Sequence, residues 1–481
     1  MDTLSFATIA QLRAQLDAKK ISHQELLEYF LQRMHTYNPQ LGALLEIFDT
    51  QSIMQSASAS GFLHGIPGVI KDNINQQHRR LTCGSTILDK FVATYDATVI
   101  ARLKKQGAYC AGRANLDEFA MGSSNETSAF YPVRNPHDLS RVSGGSSGGS
   151  VAAVAAGLVP WALGTETGGS VRQPAALCGI VGFKPTYGLV SRYGVVAYAS
   201  SLDQVGVATR TVWDNALVLS AIAGNDPHDS STLPMQTQDY TQGLTDTMPA
   251  GITIGVVENA LYAEGVDPEI VSAIEQAIEQ LSKLGARIKR IQLPTLAYSA
   301  AAYFIISRAE AASNLARFDG IRYGLRETNA KNITELYCQT RRKGFGTEVK
   351  SRILVGNYVL SSGYTAAFYA NAKKVQNMIR AEFKEAFNDV NIIVMPTHPE
   401  PAFILGNYSA DPLKIDLQDF FTCSTNLAGV PAISVPCGFT KNKLPIGFQF
   451  VGPHCSEQKL YQVAHVYEQA TPWHDEHPQV F

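Results

Sequence analysis

Two serine clusters set between glycines, Gly144-Gly145-Ser146-Ser147-Gly148-Gly149 and Gly168-Gly169-Ser170, are the residues best placed for nucleophilic chemistry. Glycine permits positive φ and lets a backbone approach a ligand closely. A serine hydroxyl among glycines is therefore accessible and ringed by amide N–H groups, which suits an attacking hydroxyl and an oxyanion pocket. Ser150 is positioned to cap a helix over 151–156 that Gly157 stops. A strand is expected over 158–163, interrupted by Pro160. Ser170 precedes a second helix start at 171–176, whose orphan N–H donors would favour a developing anion.

Gly/Ser clusters also form flexible linkers, but these flanks are apolar and rich in alanine. A dinucleotide fingerprint does not fit, because Ser146 and Ser147 occupy the second-glycine position in either register. No Gly-Lys-Ser/Thr follows, so a P-loop is excluded as well.

A serine nucleophile also needs a base. The chain has 11 histidines but no G-x-S-x-G elbow. Upstream, the apolar run Ile66-Pro67-Gly68-Val69-Ile70 ends in Lys71. A lysine acts as a base only when neutral, so its free pKa of about 10.4 must fall by desolvation or nearby positive charge. A strand-end lysine that merely snorkels to solvent is the alternative.

The stretches GIPGVIKDNI, GGSSGGS and GTETGGSVRQPAALCGIVGFKPTYG resemble the amidase signature family, densely over residues 60–205 and more loosely to Thr471. The resemblance implies an α/β fold with a central mixed sheet covered by helices on both faces. It implies a catalytic set of Ser170 as acyl-forming nucleophile, Ser146 as bridging serine and Lys71 as base. Backbone N–H groups from Glu166, Thr167, Gly168 and Gly169 are the implied oxyanion donors, and Met121, Gly122 and Ser123 the implied pocket lining. Residues 311–324, 344–352 and 426–436 are similar to the glutaminase branch of that family, found in tRNA-dependent amidotransferases. In that branch an arginine and an aspartate hold the two α-groups of glutamine, and Arg352 and Asp419 fall on those positions. The physics agrees, since a guanidinium suits a planar carboxylate and a carboxylate an ammonium.

The branch implies glutamine hydrolysis in a heterotrimer with subunits B and C. Ammonia would pass to the first of these partners, which handles most of the tRNA and uses ATP and Mg2+ to convert Glu-tRNA(Gln) to Gln-tRNA(Gln). Whether Asp-tRNA(Asn) also serves stays open. No metal or cofactor is implied for this chain. A free-standing amidase acting on another amide is the rival reading. The sequence departs from the family pattern at Glu166 (Asp is usual), Ser143 (Pro) and Val171 (Ile), and carries Arg308 and His398 among residues usually small.

The elements that must position these groups alternate short apolar runs with helices, which points to α/β. Strands are expected near Val69, 109–112, 252–257, 392–395, 432–435 and 447–451. Helices are expected at 99–105, from Asp267-Pro268-Glu269 to Gly285, widely over 295–390, and from Gln458. Capping boxes are read at Ser22-x-x-Glu25, before the second of two early helices, and at Asn115-x-x-Glu118. The whole of 1–481 reads as one amidase domain: N-terminal helices 1–60, signature core 61–206, a largely helical insertion 224–390, and a return to the sheet over 391–481. Net charge is −2, which gives no basic footprint for nucleic acid. Seven scattered cysteines without C-x-x-C, no signal-like start and no long apolar run predict a cytoplasmic protein with no membrane span.

Overall fold

The computed structural model describes residues 4–407, 419–479 and 481. Its strands are β1 (Leu44–Ile47), β2 (Pro67–Lys71), β3 (Tyr109–Ala114), β4 (Arg134–Asn135), β5 (Asp138–Val142), β6 (Trp161–Glu166), β7 (Val181–Lys184), β8 (Gln204–Thr209), β9 (Thr253–Val257), β10 (Arg287–Ile291), β11 (Ile392–Pro396), β12 (Ala432–Phe439) and β13 (Pro445–Val451). All but β4 and β5 join one sheet in the order β1-β3-β2-β6-β8-β7-β12-β13-β11-β9-β10. Pairing is mixed. β3-β2-β6 and β11-β9-β10 run parallel, while the middle of the sheet is antiparallel. The sheet thus draws strands from both ends of the chain.

Side chains along a strand alternate between faces, and the two cores follow that rule. On β11, Ile392 and Val394 enter one core while Ile393 and Met395 enter the other. On β12 and β13, Ile433, Val435, Phe448 and Phe450 face the first core, and Ala432 and Val451 the second. The first is roofed by helices such as Ile9–Asp17, His23–Leu41, Val212–Ile222, Pro268–Lys283 and Glu457–Gln469. The second is roofed by Ser299–Asn314, Thr347–Leu360 and Tyr369–Asp389. Both faces are covered, as the α/β reading requires.

The Ser22/Glu25 capping box forms as read. Other local expectations are corrected. Asn115 opens no helix: its amide spans the carbonyls of Gly42 (3.2 Å) and Tyr131 (2.8 Å), and Glu118–Ala120 is a single 3-10 turn. The strand after Pro160 is shifted to Trp161–Glu166, because proline has no N–H for the ladder. The helix expected at 151–156 begins earlier, as Gly148–Ala155, with Ser147 and not Ser150 at its cap position. Ser150 instead donates to the Leu163 carbonyl (2.8 Å), and the Ser147 hydroxyl donates to the Thr165 carbonyl (3.0 Å) instead of capping the helix. Strands β1, β4, β5, β7, β8 and β10 had no expectation in the sequence. β10 lies within the span read as a helical insertion, yet forms one edge of the sheet.

Candidate active site

β2 delivers Lys71 to the gap between the two glycine-rich turns. Its Nζ donates to Ser146 Oγ (2.7 Å), Ser147 Oγ (2.9 Å) and the Thr165 carbonyl (3.1 Å). Lys71 is wholly buried. Burial pushes its ammonium down to about 7, against the opposing pull of Asp117, Asp203 and Glu166. Near neutral pH a large fraction of this amine is therefore unprotonated and can accept a proton.

Ser146 follows a cis Gly145–Ser146 peptide bond and is buried. Only glycine fits before it, since a Cβ at Gly145 would stand 2.1 Å from Asp117 Oδ2. Asp117 accepts from the N–H groups of Asn125 (2.9 Å) and Thr127 (3.2 Å) and from the Thr127 hydroxyl (2.8 Å). Met121, Gly122 and Ser123 belong to the loop that packs on this carboxylate. Met121 is buried, and the Ser123 carbonyl accepts from Gln173 Nε2 (3.0 Å).

Ser170 ends the turn that leaves β6. Its carbonyl accepts the Ser147 N–H (3.0 Å), which locks the two serine clusters together. Its hydroxyl has no hydrogen bond to any described residue, that of Ser146 included. Proton transfer through Ser146 requires that last bond to form, and catalytic hydrogen bonds commonly tighten only with substrate in place. The N–H groups of Thr167, Gly168 and Gly169 likewise meet no described acceptor, so they remain available to an oxyanion.

Glu166 stands apart from those three. It is the last residue of β6, and its carboxylate accepts the N–H groups of Val171 and Arg172 (3.1 Å each). The donors at the start of helix Arg172–Cys178, expected to face an anion of the reaction, are thus already taken. Arg172 Nε donates to the same carboxylate (2.8 Å), and both side chains are fully buried. Burial alone would raise the Glu166 carboxyl, but the Arg172 guanidinium outweighs it and holds the group below its ordinary value.

The opposite wall comes from the second core. Arg352, on helix Thr347–Leu360, donates to Glu348 (2.6 Å) and to the Tyr198 hydroxyl (2.7 Å). Asp419 lies beside the turn: a Cβ at Gly169, whose φ is 153°, would come within 2.9 Å of Asp419 Oδ1 and 2.2 Å of Thr422 Oγ1. Tyr303 covers Gly168, and burial lifts its phenol well above the ordinary value, with Tyr198 and Asp419 adding to the shift and Arg352 opposing it. Asp419 and Tyr303 therefore lie against the 167–169 turn, and Tyr198 and Arg352 stand close enough to act on the Tyr303 phenol. Ser147, Asp117, Tyr198, Tyr303 and Asp203 were not singled out in the sequence. Asp203 and Tyr198 fall inside the stretch of strongest motif density, which was the available signal. Arg308 stacks on Phe304 (3.4 Å), and His398 bonds the Glu400 carbonyl (2.5 Å); nothing among these described contacts explains why the two positions are not small.

A buried lysine bonded to the two serines of one cluster, a further serine tied to that cluster through its carbonyl, and a turn of available N–H groups are the parts of a serine-dependent acyl-transfer enzyme. The opposite wall adds charges suited to a substrate carrying both a carboxylate and an ammonium. The chain belongs to the Amidase family, whose profile matches residues 25–461. The A-subunit of the Cyanothece glutamyl-tRNA(Gln) amidotransferase is 48% identical over 98% of this chain and 100% of its own. The Halothermothrix orenii protein of the same name is 48% identical over 96% and 97%. The crystal structure of its counterpart from Thermotoga maritima superposes with a TM-score of 0.82 at 41% identity, covering 98% of this chain and 96% of its own. A 6-aminohexanoate cyclic dimer hydrolase reaches 0.86 at 26% identity, with 99% of each chain covered. Among the described residues, no helix is long and apolar enough to cross a membrane.

Proposed function

We propose that this chain is the glutamine-hydrolysing component of a cytoplasmic glutamyl-tRNA(Gln) amidotransferase. Arg352 binds the α-carboxylate of glutamine and Asp419 its α-ammonium, which presents the side-chain amide to Ser170. The Ser170 hydroxyl attacks the amide carbon, its proton passing to Ser146 as Ser146 passes its own to Lys71. The oxygen of the tetrahedral intermediate is held by the N–H groups of the 167–169 turn. The intermediate collapses as the relay returns a proton to the leaving nitrogen, releasing ammonia and leaving a γ-glutamyl ester on Ser170. Water attacks that ester by the same relay, freeing glutamate and restoring the serine.

The ammonia is consumed on a partner chain that activates the mischarged tRNA with ATP and Mg2+, and a small third chain braces the pair. The observation that carries the proposal is the 2.7 Å bond from the wholly buried Lys71 to Ser146. The decisive experiment is native mass spectrometry of the untagged chain from its own cells, paired with a glutaminase assay. A complex with two further chains, one near its own size and one small, together with glutamate release, is expected. A lone chain inactive on glutamine would overturn the assignment and favour a free-standing amidase.

A further inference from the structure

Asp203 sits just before β8, nearly excluded from solvent, where the two walls of the site meet. Its Oδ1 accepts the Thr167 hydroxyl (2.7 Å) and the Ala199 N–H (3.1 Å), and its Oδ2 accepts the Tyr198 N–H (2.8 Å). Tyr198 in turn receives Arg352 on its hydroxyl. One buried carboxylate is therefore a single hydrogen bond from the oxyanion turn and two residues removed from the guanidinium.

The turn is held from its carbonyl side as well: Thr422 Oγ1 donates to the Gly168 carbonyl (2.6 Å) and the Gln173 N–H to the Gly169 carbonyl (2.8 Å), while the N–H groups of 167–169 meet no described acceptor. A carboxylate this deep is costly unless its oxygens are satisfied, and here three donors from two segments satisfy it.

We infer that Asp203 is a positioning residue that sets the oxyanion turn through Thr167 and the substrate-carboxylate anchor through Tyr198 and Arg352. The inference rests on the reading above, in which that turn holds the oxyanion and Arg352 the substrate. Because Asp203 touches both segments, its loss should disturb rate and affinity together, whereas each arm cut separately should disturb one. Asp203→Asn replaces one acceptor oxygen with a donor, so the three present donors cannot all be satisfied.

The test uses the full chain with whatever partners co-purify, with working sites counted by the covalent glutamine analogue 6-diazo-5-oxo-L-norleucine. Asp203→Asn is expected to lower kcat for glutamine on the order of 10- to 100-fold, the scale of a small misplacement of reacting groups, and to raise KM. Thr167→Val should lower kcat with little change in KM, and Tyr198→Phe should raise KM with little change in kcat. A role confined to folding would move the melting temperature and the number of titratable sites, and leave kcat and KM per working site as in the wild type. If Asp203→Asn does not fold, the split between Thr167→Val and Tyr198→Phe still decides, and a silent result from either overturns the inference. Ser170→Ala separates the two levels. If it is inactive while Asp203→Asn behaves as wild type, the inference alone falls. If Ser170→Ala still releases glutamate, the underlying reading falls and takes the inference with it.

Discussion

Lys71 Nζ stands 2.7 Å from Ser146 Oγ with both side chains closed off from solvent. A charged ammonium would pay heavily for that burial, which is the reason its pKa falls to about 7. The same desolvation that weakens the charge makes the amine a usable base.

The first prediction is a pH profile. kcat/KM for glutamine should rise with pH through an apparent pKa of about 7 and level off above it, because only the neutral amine accepts the proton. Stability should follow the same sign. Lys71 has a lower pKa folded than unfolded, so between about 7 and its ordinary value of 10.5 the unfolded chain binds more protons, and this group's contribution rises with pH across that window. Steady-state kinetics from pH 5.5 to 9 check the first part. A flat profile through 7 would remove Lys71 as base.

Removing the two hydroxyls should separate their roles. Ser170→Ala should reduce glutamate release by roughly four orders of magnitude or more, the scale of losing a covalent nucleophile. Ser146→Ala should cost about 10²- to 10⁴-fold, the range of a lost general acid–base step. Rapid-quench detection of a γ-glutamyl ester in wild type but not in Ser170→Ala distinguishes the nucleophile from the relay.

Arg352→Lys and Asp419→Asn should act mainly on binding. A lysine cannot reproduce the planar fork that pairs with a carboxylate. Loss of one charge-assisted bond is worth about 1.5–3 kcal/mol, so KM should rise roughly 10- to 100-fold with kcat changed far less. An unchanged KM in both variants would place the substrate elsewhere.

Glu166→Gln should be a stability variant before it is a catalytic one. It leaves Arg172 fully buried with no charge partner on that side, a change that typically costs about 3–5 kcal/mol. Because Glu166 is held below its ordinary value, its contribution is present above about pH 4.5, its ordinary value, and is lost as pH falls through the folded value. Thermal melting of wild type and variant at pH 7 and pH 4 reads both effects; equal melting at pH 7 would contradict the account.

What the sequence made legible was set by local chemistry. Lys71 at the end of an apolar run and serines between glycines were legible as candidates, and the resemblance of the surrounding motifs, not the residue types alone, set them above a snorkelling lysine and a Gly/Ser linker. Ser22/Glu25 was readable because a capping box is closed within four residues. Asp203 and Tyr303 were not readable in this way. Their roles come from neighbours brought near by the sheet, Thr167 for one and Gly168 for the other. Asn115 misled for a related reason: a cap-like pattern was overridden by carbonyls of Gly42 and Tyr131 that tertiary packing delivers to its amide. The strand β10 escaped notice because its burial pattern is mostly exposed, as an edge strand allows.

The strand order also dictates a timetable for synthesis. β7 is flanked by β8, which follows it closely, and by β12, which pairs through Ala432, Ile433 and Ser434. During translation one side of β7 must wait for those late residues, on the order of tens of seconds at about 5–20 residues per second. For that interval a nascent chain already holding Lys71, Ser146 and Ser170 displays an unpaired, apolar strand edge of the kind that recruits other chains. A ribosome that stalls between β8 and β12 would therefore yield a product that carries both serine clusters and is prone to stick, which makes this stretch the place where chaperone dependence should be sought.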